Sequence, residues 1–381
     1  MTLALITGTR PEIIKMFPLM RSFDSEGIDY RFIHTGQHHD YELFLKFIED
    51  FNIRMPDYNI DLIPSSGSIE QLSQIILKIG DVLKKLQPSS VIVQGDTNSV
   101  VASALAAIKS KIPLIHLEAG LRSYDWRTPE EYNRRIVDHM SNVLFTPTIQ
   151  SERNLRNEQV QGKIFMVGNT IIDAVELSIE LMQTSYHDNH ANRENDILNK
   201  IKLKTDLSDC VLLTLHREEN VDNPDSLKQI LTALADSGLH YICPMHPRTV
   251  KRIHEFNLEN LIRATIKVIE PVGYFDFLRL LKACKFVISD SGGIQEEVTS
   301  PYINKYALIL RESTERPESI ASGHTIMCPI NYNEIKLSIR KVESGEFPQK
   351  LKDCPYGDGN SAAKIAQILK SPMTPIQYKM T

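Results

Sequence analysis

The fold of this chain can be predicted outward from one stretch, His-Leu-Glu-Ala-Gly-Leu-Arg at positions 116–122. The stretch continues an apolar strand that starts at Ile112, and it breaks at Gly120. A loop with the only tryptophan follows, and a helix then begins at Thr128, with Pro129 at its first position, where the missing N–H costs nothing. Strand, loop and helix in this order are typical of a parallel, doubly wound α/β sheet.

Charged residues in and after this stretch indicate an active site. Glu118 lies at the carboxyl end of the strand, the edge at which open parallel sheets bind ligands. Thr128 and Glu131 have the spacing of a capping box, which leaves Glu130 to pair with Arg134 on one helix face. The alternative is structural: an exposed helix pair and a glutamate that caps a loop. The convergence of carboxylates and arginines favours the functional interpretation.

Length and composition restrict the class of protein. The 381 residues predict two domains of roughly 180 residues each, and a hydrophobic content of 42% lets each bury a core. The net charge of −5 and the lack of a basic block argue against a nucleic-acid partner. No apolar run reaches the length of a membrane span, and the N-terminus does not resemble a signal peptide. The five cysteines have no C-x-x-C spacing, so we expect buried thiols in a reducing, cytoplasmic compartment.

Apolar runs alternate with amphipathic segments along the whole chain. In the first half the predicted strands are Leu3–Thr7, Tyr30–His34, Ser90–Gln94, Ile112–Leu117, Val143–Phe145 and, at an edge, Lys163–Met166. The predicted helices between them are about 10–23, 40–51, 69–86, 97–110, 129–140 and 170–183. In the second half the predicted strands are Cys210–Leu215, His240–Pro244, Thr265–Ile269, Lys285–Ser289, Tyr306–Leu310 and Thr325–Cys328, and the last helix is Ser361–Leu369.

A polar segment divides the two halves. We therefore predict an N-terminal α/β domain over 1–183, a linker region over 184–206, a C-terminal α/β domain over 207–360, and a final helix and tail over 361–381. We expect a cleft between the two domains.

Three strand ends in this pattern carry polar residues. Gly8 to Glu12 follow the first strand and open a helix with Lys15, so backbone N–H groups, Arg10 and Lys15 could bind an anion. The alternative is a plain turn in which Thr9 and Glu12 cap the helix. Asp96 ends another strand, either as a helix N-cap or as a carboxylate facing the ligand. His216 ends the first strand of the second half beside further charges, which favours a functional role.

The sharpest local signal is Ser-Asp-Ser-Gly-Gly-Ile-Gln-Glu-Glu at positions 289–297. A strand stops, two glycines permit close approach of a ligand, and a helix begins, as expected for a diphosphate site. Neither a P-loop nor a dinucleotide fingerprint is present. Glu297 could accept hydrogen bonds from ribose hydroxyls, and Arg316 is a candidate cation beside Arg10. Adjacent His38 and His39 lack a third ligand of suitable spacing, so we expect no metal site.

Eight motifs resemble those of the non-hydrolysing UDP-N-acetylglucosamine 2-epimerases. They span nearly the whole chain in the order found in that family: Gly-Thr-Arg-Pro-Glu at 8–12, Gly-Asp-Thr at 95–97, His-Leu-Glu-Ala-Gly-Leu-Arg at 116–122, Pro-Glu-Glu-Tyr-Asn-Arg at 129–134, Gly-Asn-Thr at 168–170, Ser-Asp-Ser-Gly-Gly-Ile-Gln-Glu-Glu at 289–297, Thr-Glu-Arg-Pro-Glu at 314–318 and Pro-Tyr-Gly-Asp-Gly at 355–359.

The resemblance implies two Rossmann-like domains in a glycosyltransferase-B arrangement, a homodimer, no cofactor, and interconversion of UDP-N-acetylglucosamine and UDP-N-acetylmannosamine for cell-surface polysaccharides. Carried over residue by residue, it implies four catalytic candidates: Asp96, Glu118, Glu130 and His216. It implies that substrate is bound by Arg10, Lys15, Arg134, His246, Phe277, Ser291, Gly292, Gly293, Glu297 and Arg316, with Phe277 near uracil.

Other activities remain open at this point. A 2-epimerase of a UDP-diacetamido-glucuronate would keep every motif, and a hydrolysing 2-epimerase would release free N-acetylmannosamine. A glycosyltransferase would share the fold but should lack opposed acid and base groups. A non-catalytic sensor of nucleotide sugars would be expected to lose Asp96, Glu118 or Glu130, and all three are present.

Overall fold

The computed structural model describes residues 2–36, 41–63, 67–184, 206–346, 351 and 353–371. The chain forms two compact units, the first from Met1–Leu177 together with Tyr356–Thr381, the second from Ser178–Pro355. Nearly all of the predicted linker, and the His38–His39 pair, lie outside the described residues. The predicted domain limits and the cleft between the domains stay predictions.

The first unit is built on a seven-stranded sheet in which every neighbouring pair is parallel. Its strand order is β3-β2-β1-β4-β5-β6-β7. The strands are β1 (Leu3–Thr7), β2 (Tyr30–His34), β3 (Tyr58–Asn59), β4 (Ser90–Gln94), β5 (Leu114–Leu117), β6 (Val143–Thr146) and β7 (Lys163–Met166). The helices are α1 (Arg10–Glu26), α2 (Tyr41–Asp50), α3 (Ser68–Leu86), α4 (Asn98–Lys109), α5 (Pro129–Met140), α6 (Ile149–Asn157) and α7 (Thr170–Thr184).

The second unit repeats the plan on a six-stranded parallel sheet of order β10-β9-β8-β11-β12-β13. Its strands are β8 (Cys210–Thr214), β9 (His240–Pro244), β10 (Ile266–Ile269), β11 (Val287–Ser289), β12 (Ala307–Leu310) and β13 (Thr325–Cys328). Its helices are α8 (Glu218–Val221), α9 (Pro224–Ala235), α10 (Pro247–Glu255), α11 (Glu259–Ile262), α12 (Tyr274–Ala283), α13 (Gly292–Glu297), α14 (Pro317–Ala321) and α15 (Tyr332–Glu343). The last helix, α16 (Ser361–Lys370), belongs to the first unit.

Every predicted strand is present, with ends that differ by at most two residues, because central parallel strands are buried on both faces and read as short apolar runs. Lys163–Met166 is an edge strand, as predicted. In the described part of the first unit, two elements were not predicted: β3, which is only two residues long, and α6, whose sequence is mostly polar. The signal for α6 is Thr148, whose hydroxyl caps the helix by accepting from the Ser151 N–H at 3.1 Å.

Both sheets have the strand order of a Rossmann fold, and this order locates the site in each unit. The chain reverses its direction of winding between β1 and β4 in one sheet and between β8 and β11 in the other. A crevice opens beyond the carboxyl ends of strands at such a point. The segments that follow these four strands are the polar motifs selected from the sequence. None of the described helices is long and apolar enough to cross a membrane.

Candidate active site

The turn after β1 is held together by a buried glutamate. Glu12 accepts hydrogen bonds from the Gly8 N–H at 2.7 Å, the Thr9 hydroxyl at 2.8 Å and the Thr97 hydroxyl at 2.7 Å. Burial raises the pKa of Glu12 to about 7, against the lowering effect of these bonds. The contact between Thr9 and Glu12, which the alternative of a plain turn predicts, is therefore present. Glu12 also contacts Thr97, in the turn after β4. Arg10 is the first residue of α1 and is half-buried.

Asp96 is not the N-cap of α4. That position belongs to Thr97, whose hydroxyl accepts from the Val100 N–H at 3.4 Å. The Asp96 carboxylate is 30% exposed and accepts from the Arg134 guanidinium at 2.5 Å. The side chain of Asn133 holds the Asp96 carbonyl oxygen at 2.8 Å. The structure thus favours the second of the two interpretations, a carboxylate oriented by α5.

Glu118 lies directly after β5 with a left-handed backbone, at φ 64°. Such a conformation costs free energy for a residue with a side chain, and it is often found at functional sites. Its carboxylate forms an ion pair with Lys15 and accepts from the Gln94 amide at 2.8 Å and from the Asn169 amide at 3.4 Å. Helix α1 therefore brings Lys15, a predicted substrate-binding residue, to the predicted catalytic carboxylate.

The predicted capping box at the start of α5 is wrong, although the helix begins where predicted. The Thr128 hydroxyl donates to the Asp125 carbonyl at 2.9 Å instead of capping the helix. The Glu131 carboxylate is fully buried and accepts from both the N–H and the hydroxyl of Ser123, at 2.9 and 3.0 Å. The buried face of α5 includes Glu131 and Arg134, three residues apart, so both point into the protein.

The predicted Glu130–Arg134 pair is also wrong. The Arg134 guanidinium contacts Glu131 at 2.7 Å and Asp96 at 2.5 Å. Glu130 lies at the edge of the buried face and is half-buried. Among the residues that the structure describes, it forms no hydrogen bond or ion pair, which leaves its carboxylate available to a ligand.

His116, a buried histidine in the same unit, was not among the site residues predicted from the sequence. His116 on β5 has no solvent exposure, and its Nδ1 lies 2.7 Å from the Asp138 carboxylate. The same carboxylate accepts from the Gly120 N–H at 3.2 Å and contacts the Arg122 guanidinium at 2.7 Å. The signal in the sequence was His116 at an otherwise apolar strand position; its partner Asp138 is 22 residues away and had no motif of its own.

In the second unit, His216 is organised by an aspartate that sequence analysis did not select. Asp290, buried at the end of β11, accepts from the backbone N–H groups of His216 at 3.1 Å and Arg217 at 3.0 Å. The imidazole Nδ1 lies 3.1 Å from the same carboxylate, and the His216 side chain is 48% exposed. The interactions with His216 hold the pKa of Asp290 below its usual value although burial opposes this. The contacts with Asp290 fix the turn after β8 and leave the ring accessible.

The Ser291–Gly293 segment lies against a buried ionic cluster. A Cβ added to Gly292 would lie 2.7 Å from the Arg316 guanidinium and 2.8 Å from the Glu315 carboxylate, so a side chain there would displace this ion pair. Arg316 is 7% exposed and forms ion pairs with Glu315 and, at 2.9 Å, with Glu296. The predicted cation thus lies beside the glycine turn, with its charge already balanced by two carboxylates.

The remaining predicted substrate contacts have varied surroundings. Glu297 is buried and accepts from the Tyr274 hydroxyl at 2.9 Å. Phe277 is half-buried on α12, and Gly293 has no atom within 3.4 Å of an added Cβ. His246 is exposed and caps α10, its Nδ1 accepting from the Arg248 N–H at 3.2 Å. No cluster of histidine, cysteine, aspartate and glutamate suited to a metal ion occurs among the described residues.

Two doubly wound α/β units with acids and bases at their switch points define the class of nucleotide-binding α/β enzymes. The family model described as UDP-N-acetylglucosamine 2-epimerase matches residues 21–370. A UDP-N-acetylglucosamine 2-epimerase of Methanocaldococcus jannaschii is 40% identical over 376 residues, which is 97% of this chain and 99% of that protein. A UDP-2,3-diacetamido-2,3-dideoxy-D-glucuronate 2-epimerase of Pseudomonas aeruginosa is 33% identical, with 97% and 99% covered.

Solved structures give the same result. The crystal structure of the Methanocaldococcus jannaschii enzyme in complex with UDP-GlcNAc and UDP superposes with a TM-score of 0.85 at 39% identity, covering 97% of this chain and 99% of that one. The Neisseria meningitidis enzyme bound to UDP-GlcNAc superposes at 0.87 and 32% identity, with the same coverage. The chain belongs to the UDP-N-acetylglucosamine 2-epimerase family. The predicted fold class, two Rossmann-like α/β domains of glycosyltransferase-B type, is confirmed.

Proposed function

We propose that this enzyme is an isomerase that interconverts UDP-N-acetylglucosamine and UDP-N-acetylmannosamine without hydrolysis. Family membership over nearly the whole chain carries the proposal. The contacts around Asp96 and Glu118 support it, because they place two oriented carboxylates after neighbouring strands of one sheet.

The reaction needs elimination because the hydrogen on C2 is not next to a carbonyl group. A base removes the C2 proton, the electron pair forms a C1=C2 double bond, and the C1–O bond breaks to release UDP. Return of UDP to C1 of the resulting 2-acetamidoglucal, with protonation of C2 from the opposite face, inverts that centre. The two faces require separate proton donors and acceptors.

We assign proton transfer to Asp96, Glu118 and Glu130, without choosing which of them takes the C2 proton. General acid–base catalysis supplies about 10²–10⁴-fold, so stabilisation of the departing UDP must provide much of the remaining acceleration. We assign that task to Arg10, His216 and the Ser291–Gly293 segment. Lys15 and Arg134 would orient the catalytic carboxylates as well as contact substrate, because each already pairs with one of them.

The other predicted substrate contacts belong to the same proposal. In it, Glu297 binds the ribose hydroxyls, Phe277 lies near the uracil ring, Arg316 contacts the diphosphate, and His246 is a further substrate contact. We also propose, from the family resemblance, a cytoplasmic homodimer whose product is used for cell-surface polysaccharides. Light scattering of the purified protein would test the dimer.

Turnover in deuterium oxide tests the chemistry. Elimination and re-addition exchange the C2 proton with solvent, whereas transfer or hydrolysis at C1 leaves it in place. UDP-N-acetylglucosamine incubated with the enzyme in deuterium oxide should therefore give UDP-N-acetylmannosamine with deuterium at C2, detected by NMR. Glu118→Gln should suppress the exchange about 100-fold or more, since it removes a carboxylate placed to carry that proton.

The same experiment separates the alternatives. Release of free N-acetylmannosamine would identify a hydrolysing enzyme, and turnover without deuterium at C2 would contradict epimerisation. Parallel incubation with the UDP-diacetamido-glucuronate would reveal the activity named for the Pseudomonas aeruginosa relative.

A further inference from the structure

Eight ionisable side chains in the first unit form a chain in which basic and acidic groups alternate, and one peptide closes it into a ring. We call this set the charge ring; in order it consists of His116, Asp138, Arg122, Glu158, Arg135, Glu131, Arg134 and Asp96. The peptide that joins Gly95 to Asp96 closes it, because His116 Nε2 lies 2.9 Å from the Gly95 carbonyl oxygen.

One half of the charge ring lies beneath the loop after β5. Asp138 contacts His116 Nδ1 through one oxygen and Arg122 through the other, both at 2.7 Å. Arg122 then holds Glu158 with two parallel bonds of 2.9 and 2.6 Å. Each of the side chains of His116, Asp138 and Arg122 has no exposure to solvent. Charges so buried are costly unless each is paired, so each member depends on its neighbours.

The other half runs along α5 and ends at a catalytic candidate. Glu158 contacts Arg135 at 2.8 Å, and Arg135 contacts Glu131 at 3.0 Å. Glu131 holds Arg134, which in turn holds the Asp96 carboxylate. The charge ring thus touches Asp96 twice, at its side chain through Arg134 and at its backbone through His116 and Gly95.

Both groups that contact the ring nitrogens of His116 are hydrogen-bond acceptors. The Gly95 carbonyl can only accept a hydrogen bond, and the Asp138 carboxylate is ionised, since contacts with His116 and Arg122 lower its pKa against the effect of burial. A ring nitrogen can donate to each of them only when both nitrogens carry a proton. The geometry therefore corresponds to an imidazolium, which also makes the alternation of charge around the ring complete.

We propose that His116 is a positioning residue for catalysis, which as an imidazolium joins Asp138 to the Gly95 carbonyl and so fixes Asp96 for proton transfer. The proposal rests on the proposed function, because it concerns the role of Asp96 in that reaction. Gly95 has a left-handed backbone at φ 87°, a conformation open to glycine, so the residue before Asp96 has no side chain that could hold this turn.

Two substitutions of similar size separate positioning from general support of the fold. The amide nitrogen of Asn can replace Nδ1 and donate to Asp138, whereas that of Gln can replace Nε2 and donate to Gly95. We expect His116→Asn to lower kcat about tenfold or more with an unchanged KM, the effect of one lost hydrogen bond to the Gly95 carbonyl, which precedes Asp96. His116→Gln should lower kcat clearly less than His116→Asn does, because its bond to Gly95 remains.

Melting temperatures and UDP affinities of both variants serve as controls. A purely structural role predicts parallel losses of activity and melting temperature in the two variants, and that outcome overturns the proposal. Full activity of His116→Asn overturns it as well.

A measurement on the unsubstituted protein keeps the proposal testable if neither variant folds. With ¹⁵N-labelled histidine, NMR should show a proton on both ring nitrogens of His116, one bonded to Asp138 and one to the Gly95 carbonyl. One protonated nitrogen contradicts the proposal. Absence of epimerase activity in the unsubstituted enzyme would contradict the proposed function instead, and the protonation state of His116 would still be measured.

Discussion

At the scale of residues, Glu130 and Glu131 are adjacent on α5 but have different surroundings. Glu131 is fully buried and paired with Arg134 and Arg135, and these contacts lower its pKa although burial opposes them. Glu130 is half-buried and forms no ion pair within the described ranges. Adjacent residues on a helix point in directions about 100° apart. This rotation buries the Glu131 carboxylate among ionic partners and leaves the Glu130 carboxylate open to a ligand.

This difference predicts opposite effects of the same substitution at the two positions. Glu130→Gln should lower kcat about 100-fold and leave the melting temperature unchanged, since it removes a proton carrier and no contact. Glu131→Gln should lower the free energy of unfolding by about 3 kcal/mol, because it removes the buried carboxylate that pairs with both Arg134 and Arg135. Urea unfolding and turnover of both variants are the measurements. A stable, active Glu131→Gln protein would show that the buried pairs contribute little.

The second prediction at this scale concerns pH and Glu12, whose pKa rises in the folded protein from an ordinary 4.5 to about 7. A group with a raised pKa contributes its full stability below the ordinary value and loses it as the pH rises through the folded value. Between pH about 4.5 and about 7, the unsubstituted protein should therefore lose up to about 3 kcal/mol relative to Glu12→Gln, whose amide stays neutral. Above that range the difference should be constant.

Urea unfolding of the two proteins at pH 5, 6, 7 and 8 measures the difference between their free energies of unfolding. A change of at least about 1 kcal/mol in this difference over the pH range would support the prediction. A difference that stays flat over these pH values would mean that the three hydrogen bonds to Glu12 fully offset its burial.

At the scale of elements, the turn from β1 to α1 shows how little space a strand end leaves at the switch point. A Cβ added to Gly8 would lie 2.0 Å from the Ser99 hydroxyl oxygen and 2.4 Å from that of Thr35, both of which are held in a mutual hydrogen bond of 2.6 Å. Gly80, in the middle of α3, has no atom within 4 Å of an added Cβ. Close approach, rather than backbone conformation, therefore requires glycine at position 8.

The two glycines form a matched pair for substitution. Gly8→Ala should destabilise the protein by about 1–3 kcal/mol and lower activity, because overpacking displaces the turn that carries Arg10. Gly80→Ala should stabilise it by up to about 1 kcal/mol, since alanine has the higher helix propensity and meets no obstacle. Thermal unfolding of both variants measures whether their stabilities change in these opposite directions. Equal effects would show that the β1–α1 turn relaxes freely.

At the scale of the whole molecule, the end of the chain returns to the first unit and supports its site. The Tyr356 carbonyl oxygen accepts from the Asn169 N–H at 2.7 Å, and Asn169 also donates to the catalytic candidate Glu118. Asp173, on α7, accepts from the Ala362 N–H at 2.8 Å at the start of α16. Two sequence motifs almost 190 residues apart, Gly-Asn-Thr and Pro-Tyr-Gly-Asp-Gly, therefore meet through residues of the same unit.

The Tyr356 ring has no solvent exposure, and its removal should show that the site in the first unit depends on this last segment. Tyr356→Ala should cost about 3–5 kcal/mol of stability through the cavity it creates, and it should lower kcat, because relaxation around the cavity displaces the backbone carbonyl that holds Asn169. Ile149→Ala, at a side chain 57% exposed in the same unit, is the control and should change stability by less than about 0.5 kcal/mol. Unfolding by urea and turnover of both variants test the prediction; a Tyr356→Ala protein as stable as the control would contradict it.

The sequence by itself determined the elements, their order and the strand ends that carry chemistry. Each buried parallel strand shows its own short apolar run, and each helix its own period, so these features need no knowledge of distant residues. The motifs after β1, β4, β5, β8 and β11 could be found for the same reason. Where local signals were weak, as in the polar helix α6 and the two-residue strand β3, prediction failed.

Only the tertiary structure decided which charged groups pair. Spacings of three and four residues on a helix are equally compatible with an ion pair, so the choice of Glu131 over Glu130 by Arg134 depended on which face α5 buries. Likewise, His116 and Asp138 carry no local pattern that links them, and their contact exists because β5 and α5 pack together. The energy of a charge depends on its burial and its partners, and both are set by chain segments that meet only in the folded protein.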